Sequence, residues 1–508
     1  MNHELDCNPD NSSTKPTKDT QQKIYALGVR AETGLPLCED AATILRRATA
    51  YESSKSKDPG YKAEAKLARK KDQDSRRPKY GITGDVEDGN NLAGAGWGVV
   101  FSSNATQEVK NALKPLIEYR SREAKELFRI FENDDGYNPG ESCAEWLSRH
   151  GASMMVVDPR NGVPFYLLLV GSPEEIPFEF QYLLDINWGV GRLSFNHTND
   201  FRAYAESVVD YERSTTPVNA RNLGIFSTRH ELDVATQMFS DMVASPLALG
   251  DQRRPRLGAK NNFRLESFIG EEAGRKLASK ETFSNILRGK SPGGRAALLF
   301  TGTHGMCFKA DDPLLPEAQG ALVCQDWDGY GSIGPDDYFA ASDVPSDAHV
   351  QGMIHFAFAC YSNGCPQFDD YDKEEDSTPM RIAPRPIIAA LPQRLLAHKQ
   401  GGALASLGHI DQAWACSFTS TRGARQVQGF RDVIAHLLRG ERLGLATDQF
   451  NARWATLSSE LTDVLYNKNR GLEIADWELA NLWLARNDAR NYIVLGDPAV
   501  RLPVESLK

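Results

Sequence analysis

Two apolar segments of this chain each end in a side chain suited to acyl-transfer chemistry. The segment AALLFTGTHGM presents His304, and the segment MIHFAFACYSNGC presents Cys360. Short, continuous apolar runs that stop abruptly at small or polar residues are typical of fully buried strands. In open parallel α/β sheets, the loops that follow the carboxyl ends of the strands converge at one edge. The sequence therefore predicts a thiol and an imidazole at such an edge, as a candidate nucleophile and base.

The reaction that such a pair favours is attack of sulfur on an acyl carbon. Cysteine reacts as its thiolate, and a neighbouring imidazole lowers the pKa of the thiol. Gly305 and the small residues around Cys360 would let backbone N–H groups approach a developing oxyanion. A single histidine or a buried cysteine is more often structural, so the prediction depends on the placement of both residues at strand ends.

Metal binding and serine chemistry are the alternatives for the same residues. Cys360 with Cys365, and His304 with Cys307, are close enough in sequence to suggest metal ligands, but no paired CxxC segments complete a tetrahedral set. We therefore expect neither a metal nor a cofactor. The position of His355 inside its apolar run favours a packing role. No G-x-S-x-G segment supports a serine hydrolase.

The elements that must position the pair belong to an α/β fold. From Trp97 onward, short apolar runs alternate with helical patterns, which is typical of a mostly parallel sheet flanked by helices. The acidic segment PQFDDYDKEEDSTP is expected to be a loop. The predicted elements include strands at 165–170, 222–227 and in GALASLGHI, a helix from about Gln107 through Phe131, and a mostly helical part from Val427 to Leu484.

Four regions are expected along the chain. The spacing of Ile24, Leu27 and Val29, and then of Ala41, Ile44 and Leu45, predicts a short helix or two between Lys23 and Tyr51. The Lys- and Arg-rich stretch at 55–79 is expected to be an exposed helix or linker, with a processing or docking site as the alternative. The link STTPVNARN marks a boundary. The regions are a disordered tail at 1–21, a helical and basic region at 22–95, an α/β subdomain at 96–216, and a second subdomain at 217–508 with a helical C-terminal part.

Composition limits the classes of partner. The chain has 508 residues and a formal net charge of -10, which disfavours nucleic acid and anionic membranes as main partners. Its eight cysteines have no repeating spacing, so a reducing compartment is expected rather than a disulfide framework. No run approaches the ~18 apolar residues of a membrane span, and the N-terminus has no apolar signal core. We expect a cytoplasmic protein.

The two segments together resemble a known family. An apolar strand followed by T-H-G and, 56 positions after His304, an apolar strand followed by A-C are similar to the His and Cys boxes of caspase-like (clan CD) cysteine peptidases. The segments LLLVGSPEEIPF, YIVLGDPAVRLP and GGALASLGHIDQAW are similar to flanking segments of gingipain-type and CHAT-domain members. The resemblance spans roughly Trp97 to Pro503. It implies a caspase-hemoglobinase-type sheet and peptide-bond hydrolysis by a Cys-His dyad without a metal.

The resemblance also implies roles for particular residues. Cys360 would be the nucleophile, His304 the general base, and the backbone N–H groups of Gly305 and Cys360 the oxyanion hole. The chain lacks a QACRG-type pentapeptide, which argues against a caspase-like requirement for aspartate. Acidic residues in the substrate pocket would favour Arg or Lys before the cleaved bond, whereas a solvated acidic loop is the alternative. The candidate substrate-binding residues are Asp326, Trp327, Asp369, Asp370, His409, Asp411 and Trp414.

The predicted function is that of a cysteine endopeptidase acting on a protein substrate. Latency is expected, because an unrestrained intracellular peptidase would be toxic, and so is an activating or regulatory protein partner, with residues 1–95 as its receiver. Such family members commonly act in bacterial defence or cell death, and the resemblance implies that setting. The alternative is a binding or scaffold module that keeps the fold without turnover.

Overall fold

The computed structural model describes residues 23–40, 42–47, 86, 88–154, 156–216, 218–251, 254–373, 378–419 and 424–507. The predicted tail at 1–21 and the basic segment at 55–79 lie outside the described residues. Within the described part, a large, mostly parallel sheet is flanked by helices, which confirms the predicted α/β class.

The strands of the described residues are numbered in chain order. They are β1 (Lys23–Arg30), β2 (Pro36–Asp40), β3 (Trp97–Phe101), β4 (Phe128–Phe131), β5 (Tyr166–Val170), β6 (Gly189–Leu193), β7 (Asn222–Ser227), β8 (Arg264–Ile269), β9 (Glu271–Glu272), β10 (Arg275–Lys276), β11 (Leu298–Gly302), β12 (Gly305–Cys307), β13 (Leu322–Val323), β14 (Tyr338–Phe339), β15 (Ile354–Phe358), β16 (Gly364–Cys365), β17 (Phe368–Lys373), β18 (Pro379–Arg381), β19 (Ile387–Ile388), β20 (Ala405–His409) and β21 (Tyr492–Gly496).

The central sheet has ten strands among the described residues, in the spatial order β4-β3-β5-β6-β21-β20-β15-β11-β7-β8. Its pairings are parallel except that of β20 with β21. The residues of β5, β11 and β15 are all buried, as expected where helices cover both faces of a parallel sheet. The last strand, β21, lies between β6 and β20, so it joins the two predicted subdomains in one sheet.

Helices cover this sheet, and one of them is shorter than predicted. The helix that begins at Gln107 ends at Ala124, and Phe128–Phe131 form β4, which pairs with β3 at the edge of the sheet. Pairing with β3 gives the backbone N–H and C=O groups of β4 hydrogen-bond partners outside their own segment, which a helical pattern within the segment does not show.

The α-helices of the described residues are numbered in chain order. They are α1 (42–47), α2 (Leu92–Ala95), α3 (Gln107–Ala124), α4 (Cys143–Arg149), α5 (Phe178–Asp185), α6 (Thr198–Arg213), α7 (Val234–Phe239), α8 (Ser245–Leu249), α9 (Lys280–Leu287), α10 (Leu315–Ala318), α11 (Ala390–Leu396), α12 (Gln428–Leu437), α13 (Leu443–Ala446), α14 (Asp448–Asn469) and α15 (Asp476–Arg490).

A second, smaller sheet overturns the predicted helix at the start of the chain. Its order is β14-β13-β12-β1-β2, and β1 contains the residues that were expected to form a helix. Strand β1 pairs in parallel with β12 and antiparallel with β2. The parallel partner β12 is distant in sequence, since Gly28 pairs with Gly305, so periodicity within the segment could not reveal it. The helical prediction holds only for residues 42–47.

A buried ion network holds β21 against the first half of the sheet. The carboxylate of Asp497, directly after β21, accepts hydrogen bonds from Trp97 Nε1 at 2.9 Å and Arg120 Nε at 2.6 Å. Arg120 also pairs with Glu212 at 2.7 Å. Although burial alone lowers it, the charges of Asp497 and Glu212 raise the pKa of Arg120 well above its usual value. The network therefore keeps its charges in the interior.

Candidate active site

Strands β11 and β15 bring His304 and Cys360 to the same edge of the central sheet. The two strands are neighbours, and Gly302 at the end of β11 pairs with Phe358 at the end of β15. His304 and Cys360 each follow two residues later, and both are fully buried. An ideal Cβ on Gly305 would lie 1.9 Å from the carbonyl oxygen of Cys360, so the two backbones touch at this point. The structure thus brings the predicted nucleophile and base together.

The imidazole of His304 is oriented by Asp233, which the sequence analysis did not find. The Nε2 atom of His304 lies 2.7 Å from Oδ2 of Asp233, and both side chains are buried. The same carboxylate accepts hydrogen bonds from the backbone N–H groups of Ala235 and Thr236, at the N-terminus of α7. Burial raises the pKa of Asp233, but the charge and hydrogen bond of His304 outweigh it and hold that pKa below its usual value.

This pairing bears on which ring nitrogen of His304 carries the lone pair. With Nε2–H donating to Asp233, Nδ1 carries the lone pair. Nδ1 makes no hydrogen bond to the described residues. The ring of Trp327 lies 6.3 Å away between centroids, so this predicted pocket residue does reach the site.

The thiol of Cys360 is in an unreactive state in this structure. Its Sγ accepts a hydrogen bond from the backbone N–H of Ala413 at 3.1 Å. Burial raises the pKa of the thiol well above its usual value, and the hydrogen bond from Ala413 opposes that shift without cancelling it. Nδ1 of His304 has no hydrogen-bond partner among the described residues, so it makes no hydrogen bond to this thiol.

The backbone N–H of Cys360 already donates to a peptide carbonyl. Its acceptor is the carbonyl oxygen of Leu27 in β1, at 2.9 Å. Gly305, which carries the other predicted oxyanion donor, is the first residue of β12 and pairs with Gly28 of β1. Both predicted donors therefore lie beside the same extended segment.

Asp369 and Asp370, two of the acidic residues that follow Cys360, are engaged in other contacts. They lie in β17, which forms a hairpin with β18 where a loop was expected. Asp370 pairs with Arg490, and Asp369 accepts a hydrogen bond from Gln412 Nε2 at 3.2 Å. Asp411 is fully buried, and burial, followed by the charges of Asp369 and Asp370, raises its pKa well above the usual value. This cluster therefore carries less free negative charge than the sequence suggests.

Trp414 and His409, two further predicted pocket residues, lie in different environments. Trp414 and Asp369 line a cavity of about 390 Å³ beside Tyr361. His409 is enclosed between Phe358 and Tyr492, with ring centroids 5.2 and 3.9 Å away, and lies 3.4 Å from Asp488. This is a packing position rather than a cleft position.

Asp326 has a structural contact at the start of a helix. Its Oδ2 accepts a hydrogen bond from the backbone N–H of Lys280, the first residue of α9, at 2.6 Å.

Within the described residues, no group of three or more His, Cys, Asp or Glu side chains is arranged to hold a metal ion. In the same part of the chain, the search for a helix that could span a membrane found none.

Comparison with known proteins gives distant structural similarities. No protein-family model matches the chain, and no curated protein matches it significantly in sequence. Among solved structures, it is similar to the Arg-specific cysteine proteinase gingipain R, at 14% identity and a TM-score of 0.49, over 83% of this chain and 80% of that one. It is also similar to a complex of the pro- and mature domains of RgpB from Porphyromonas gingivalis, at 12% identity and a TM-score of 0.46, over 80% and 79% of the two chains.

A further similarity is to the separase–securin complex of Saccharomyces cerevisiae, at 10% identity and a TM-score of 0.32, over 66% of this chain and 16% of that one. At such identities, a functional assignment has to depend on the side chains of this chain.

Proposed function

We propose that this protein is a cysteine endopeptidase, with Cys360 as the nucleophile, His304 as the general base and Asp233 as the residue that positions the imidazole. The observation that supports this most is the hydrogen bond between His304 and Asp233. Its Nε2 is bound to the buried carboxylate of Asp233 at 2.7 Å, which leaves Nδ1 as the basic nitrogen at the edge where β15 ends. With Nε2 bound to Asp233, Nδ1 is the ring nitrogen left to take a proton from a thiol.

Acylation follows from these roles. Nδ1 of His304 takes the proton from Sγ of Cys360, and the resulting thiolate adds to the carbonyl carbon of the substrate. The carbonyl oxygen becomes an oxyanion, and the N–H groups of Cys360 and Gly305 donate to it. When the tetrahedral intermediate collapses, the C–N bond breaks and the imidazolium of His304 protonates the leaving amine. The products are a thioester on Cys360 and a free amino terminus.

Deacylation uses the same groups. Nδ1 of His304 takes a proton from a water molecule, whose oxygen adds to the thioester carbon. Collapse of this second intermediate breaks the C–S bond, releases a carboxylic acid and returns the proton to sulfur. Asp233 stays ionised throughout and stabilises the imidazolium formed in each half-reaction.

Turnover requires the thiol to leave its present contact. Sγ of Cys360 must exchange the N–H of Ala413 for Nδ1 of His304, and the site must open enough for the burial that raises the thiol pKa to be relieved. The structure is thus described best as a latent form. Latency agrees with the expectation that another protein or an upstream event activates the chain.

Because the chain is latent as isolated, the test applies a thiol-reactive peptide probe and a library of peptide substrates to the purified chain with and without cell extract, and compares each variant with wild type under the condition in which wild type is active. Cys360→Ala should abolish labelling and hydrolysis, and His304→Ala should reduce hydrolysis by at least about 10²-fold, the usual contribution of a general base. Cys143→Ala and His436→Gln are matched controls in α4 and α12, outside the site, and should behave as wild type. Wild-type hydrolysis by both site variants would reject the proposal and favour the scaffold alternative.

A further inference from the structure

Strand β1 passes through the candidate active site as a bound peptide would. The carbonyl oxygen of Leu27 accepts the hydrogen bond of Cys360 N–H at 2.9 Å, and the N–H of Leu27 donates to the carbonyl oxygen of Ala413 at 2.8 Å. One residue earlier, Ala26 forms an antiparallel bridge with Trp414. The segment is therefore extended, and backbone contacts hold it at Ala26 and at both the N–H and the carbonyl group of Leu27. Backbone pairing of this kind is how strands are recognised in peptide-binding clefts.

The side of β1 that faces Cys360 is shaped to lie against the sulfur. An ideal Cβ on Gly28 would lie 2.6 Å from Sγ and 2.9 Å from Cβ of Cys360, and 2.8 Å from Cδ1 of Leu37. Only glycine leaves room for this approach. Leu27 and Val29 on either side are fully buried, and β1 packs against α7 and against the turn at Ala415–Ser417. Strand β1 therefore covers the Sγ atom of Cys360.

The contacts identify one peptide bond as the one presented to the nucleophile. The carbonyl of Leu27 is bound by an N–H group assigned to the oxyanion hole, and the next residue, Gly28, lies against Sγ. In the reaction proposed above, the bond attacked would be the one between Leu27 and Gly28, and the amine released would be that of Gly28. The bond persists because Sγ is bound to Ala413 N–H and Nδ1 of His304 makes no hydrogen bond with a described residue.

We propose that β1 is a built-in occupant of the substrate channel, bound with Leu27 in the place of the residue before the cleaved bond. This inference rests on the proposed peptidase function. It has two consequences. The chain holds itself latent until β1 is displaced, and the pocket that now buries Leu27 takes an apolar residue of leucine size in the substrate. It does not take the Arg or Lys that the acidic residues of the sequence suggested.

The test displaces β1 in the full chain by two independent changes. Gly28→Ala places a methyl group against Sγ, and Leu27→Asp places a carboxylate in a fully buried position. Gly94→Ala is the matched control, because its Cβ would meet only Cγ1 of Val86, at 3.8 Å. Three measurements are made on each protein: hydrogen exchange of residues 23–30, the rate of Cys360 alkylation by iodoacetamide, and hydrolysis of extended peptides that differ only in carrying Leu, Arg or Asp before the cleaved bond.

We expect both variants to lose exchange protection in β1, to be alkylated at Cys360 at least tenfold faster than wild type, and to cleave the Leu peptide in preference to the Arg and Asp peptides. Gly94→Ala should match wild type. Unchanged alkylation in both variants, or preferred cleavage of the Arg or Asp peptide, overturns the inference. Faster alkylation without cleavage of any peptide supports the blocking strand and overturns the peptidase. Loss of cleavage in the Gly28→Ala, Cys360→Ala double variant assigns any activity to this site.

Discussion

Asp233 and His304 are 71 residues apart in sequence, yet Oδ2 of the carboxylate and Nε2 of the imidazole are 2.7 Å apart in the interior. Asp233 follows β7, and β7 is the neighbour of β11, which delivers His304. The carboxylate, imidazole and thiol to which we assign the positioning, base and nucleophile roles thus follow three adjacent strands. The parallel arrangement puts all three at one edge because the carboxyl ends of such strands coincide.

Replacing Asp233 by asparagine should impair catalysis while leaving the thiol in place. Asn cannot stabilise the imidazolium of His304 and can hold the wrong tautomer, so we expect kcat/KM for peptide hydrolysis to fall by at least about 10²-fold. Asp241→Asn is the control, because Asp241 is exposed and pairs only with Arg229 in an exposed contact. Activity of Asp233→Asn within twofold of wild type would show that the carboxylate does not act through His304.

His355 should make the fold sensitive to acid. This buried side chain contacts Thr301 Oγ1 through Nε2 at 3.1 Å, and burial lowers its pKa to about 4 from the ordinary 6.5. Between these two values the unfolded chain binds a proton that the folded chain does not, so stability is full above pH 6.5 and is lost as the pH falls toward 4. The loss amounts to about 3 kcal/mol, at 1.36 kcal/mol for each pKa unit.

The measurement is the free energy of unfolding in urea, taken at several pH values in this window for wild type and His355→Gln. His230, whose pKa burial also lowers to about 4, contributes in the same direction in both proteins and cancels in the comparison. The wild-type curve should fall more steeply than that of the variant. Parallel curves would mean that His355 is protonated equally well in the folded and unfolded chains.

Gly305 should tolerate no side chain. An ideal Cβ there would lie 1.9 Å from the carbonyl oxygen of Cys360 and 2.9 Å from its carbonyl carbon, and a backbone contact cannot yield as a flexible side chain does. We expect Gly305→Ala to shift β12, to cost about 1–3 kcal/mol of stability and to displace an oxyanion donor. Thermal unfolding and peptide hydrolysis report the two effects, with Gly94→Ala as the control. A variant with wild-type melting and wild-type rate would refute the close approach.

The central strands could be predicted from the sequence because each is a continuous apolar run. The placement of His304 and Cys360 after strands that end at one edge followed from the general behaviour of parallel strands, and β11 and β15 are neighbours. Asp233 was missed because it lies in a loop and belongs to no motif that identifies its partner. Its one signal was its position shortly after a third predicted strand, at 222–227.

The remaining errors have a common physical origin in contacts that are distant in sequence. Strand β1 pairs in parallel with β12, which is distant in sequence, and the spacing of apolar residues within β1 alone could be read as a helix. The charge of Asp370 is met by Arg490, which lies 120 residues away, and no local pattern shows that neutralisation. The preference for Arg or Lys before the cleaved bond, which rested in part on Asp370, stays a prediction.

The ion network around Asp497 should be the strongest single polar contribution to the joining of the two halves of the sheet. Removing this carboxylate would leave Arg120 buried with one partner fewer and would deprive Trp97 Nε1 of its acceptor. Loss of one member of a buried pair typically costs 3–5 kcal/mol, so we expect Asp497→Ala to lower the free energy of unfolding by about that amount. The exposed pair of Glu174 with Arg385 gives the control, since Glu174→Ala should change stability by no more than about 1 kcal/mol. The measurement is urea unfolding of both variants. Equal, small losses of stability would mean that water reaches Arg120 in Asp497→Ala and replaces the lost carboxylate. The contact between β21 and α3 would then depend on apolar packing alone.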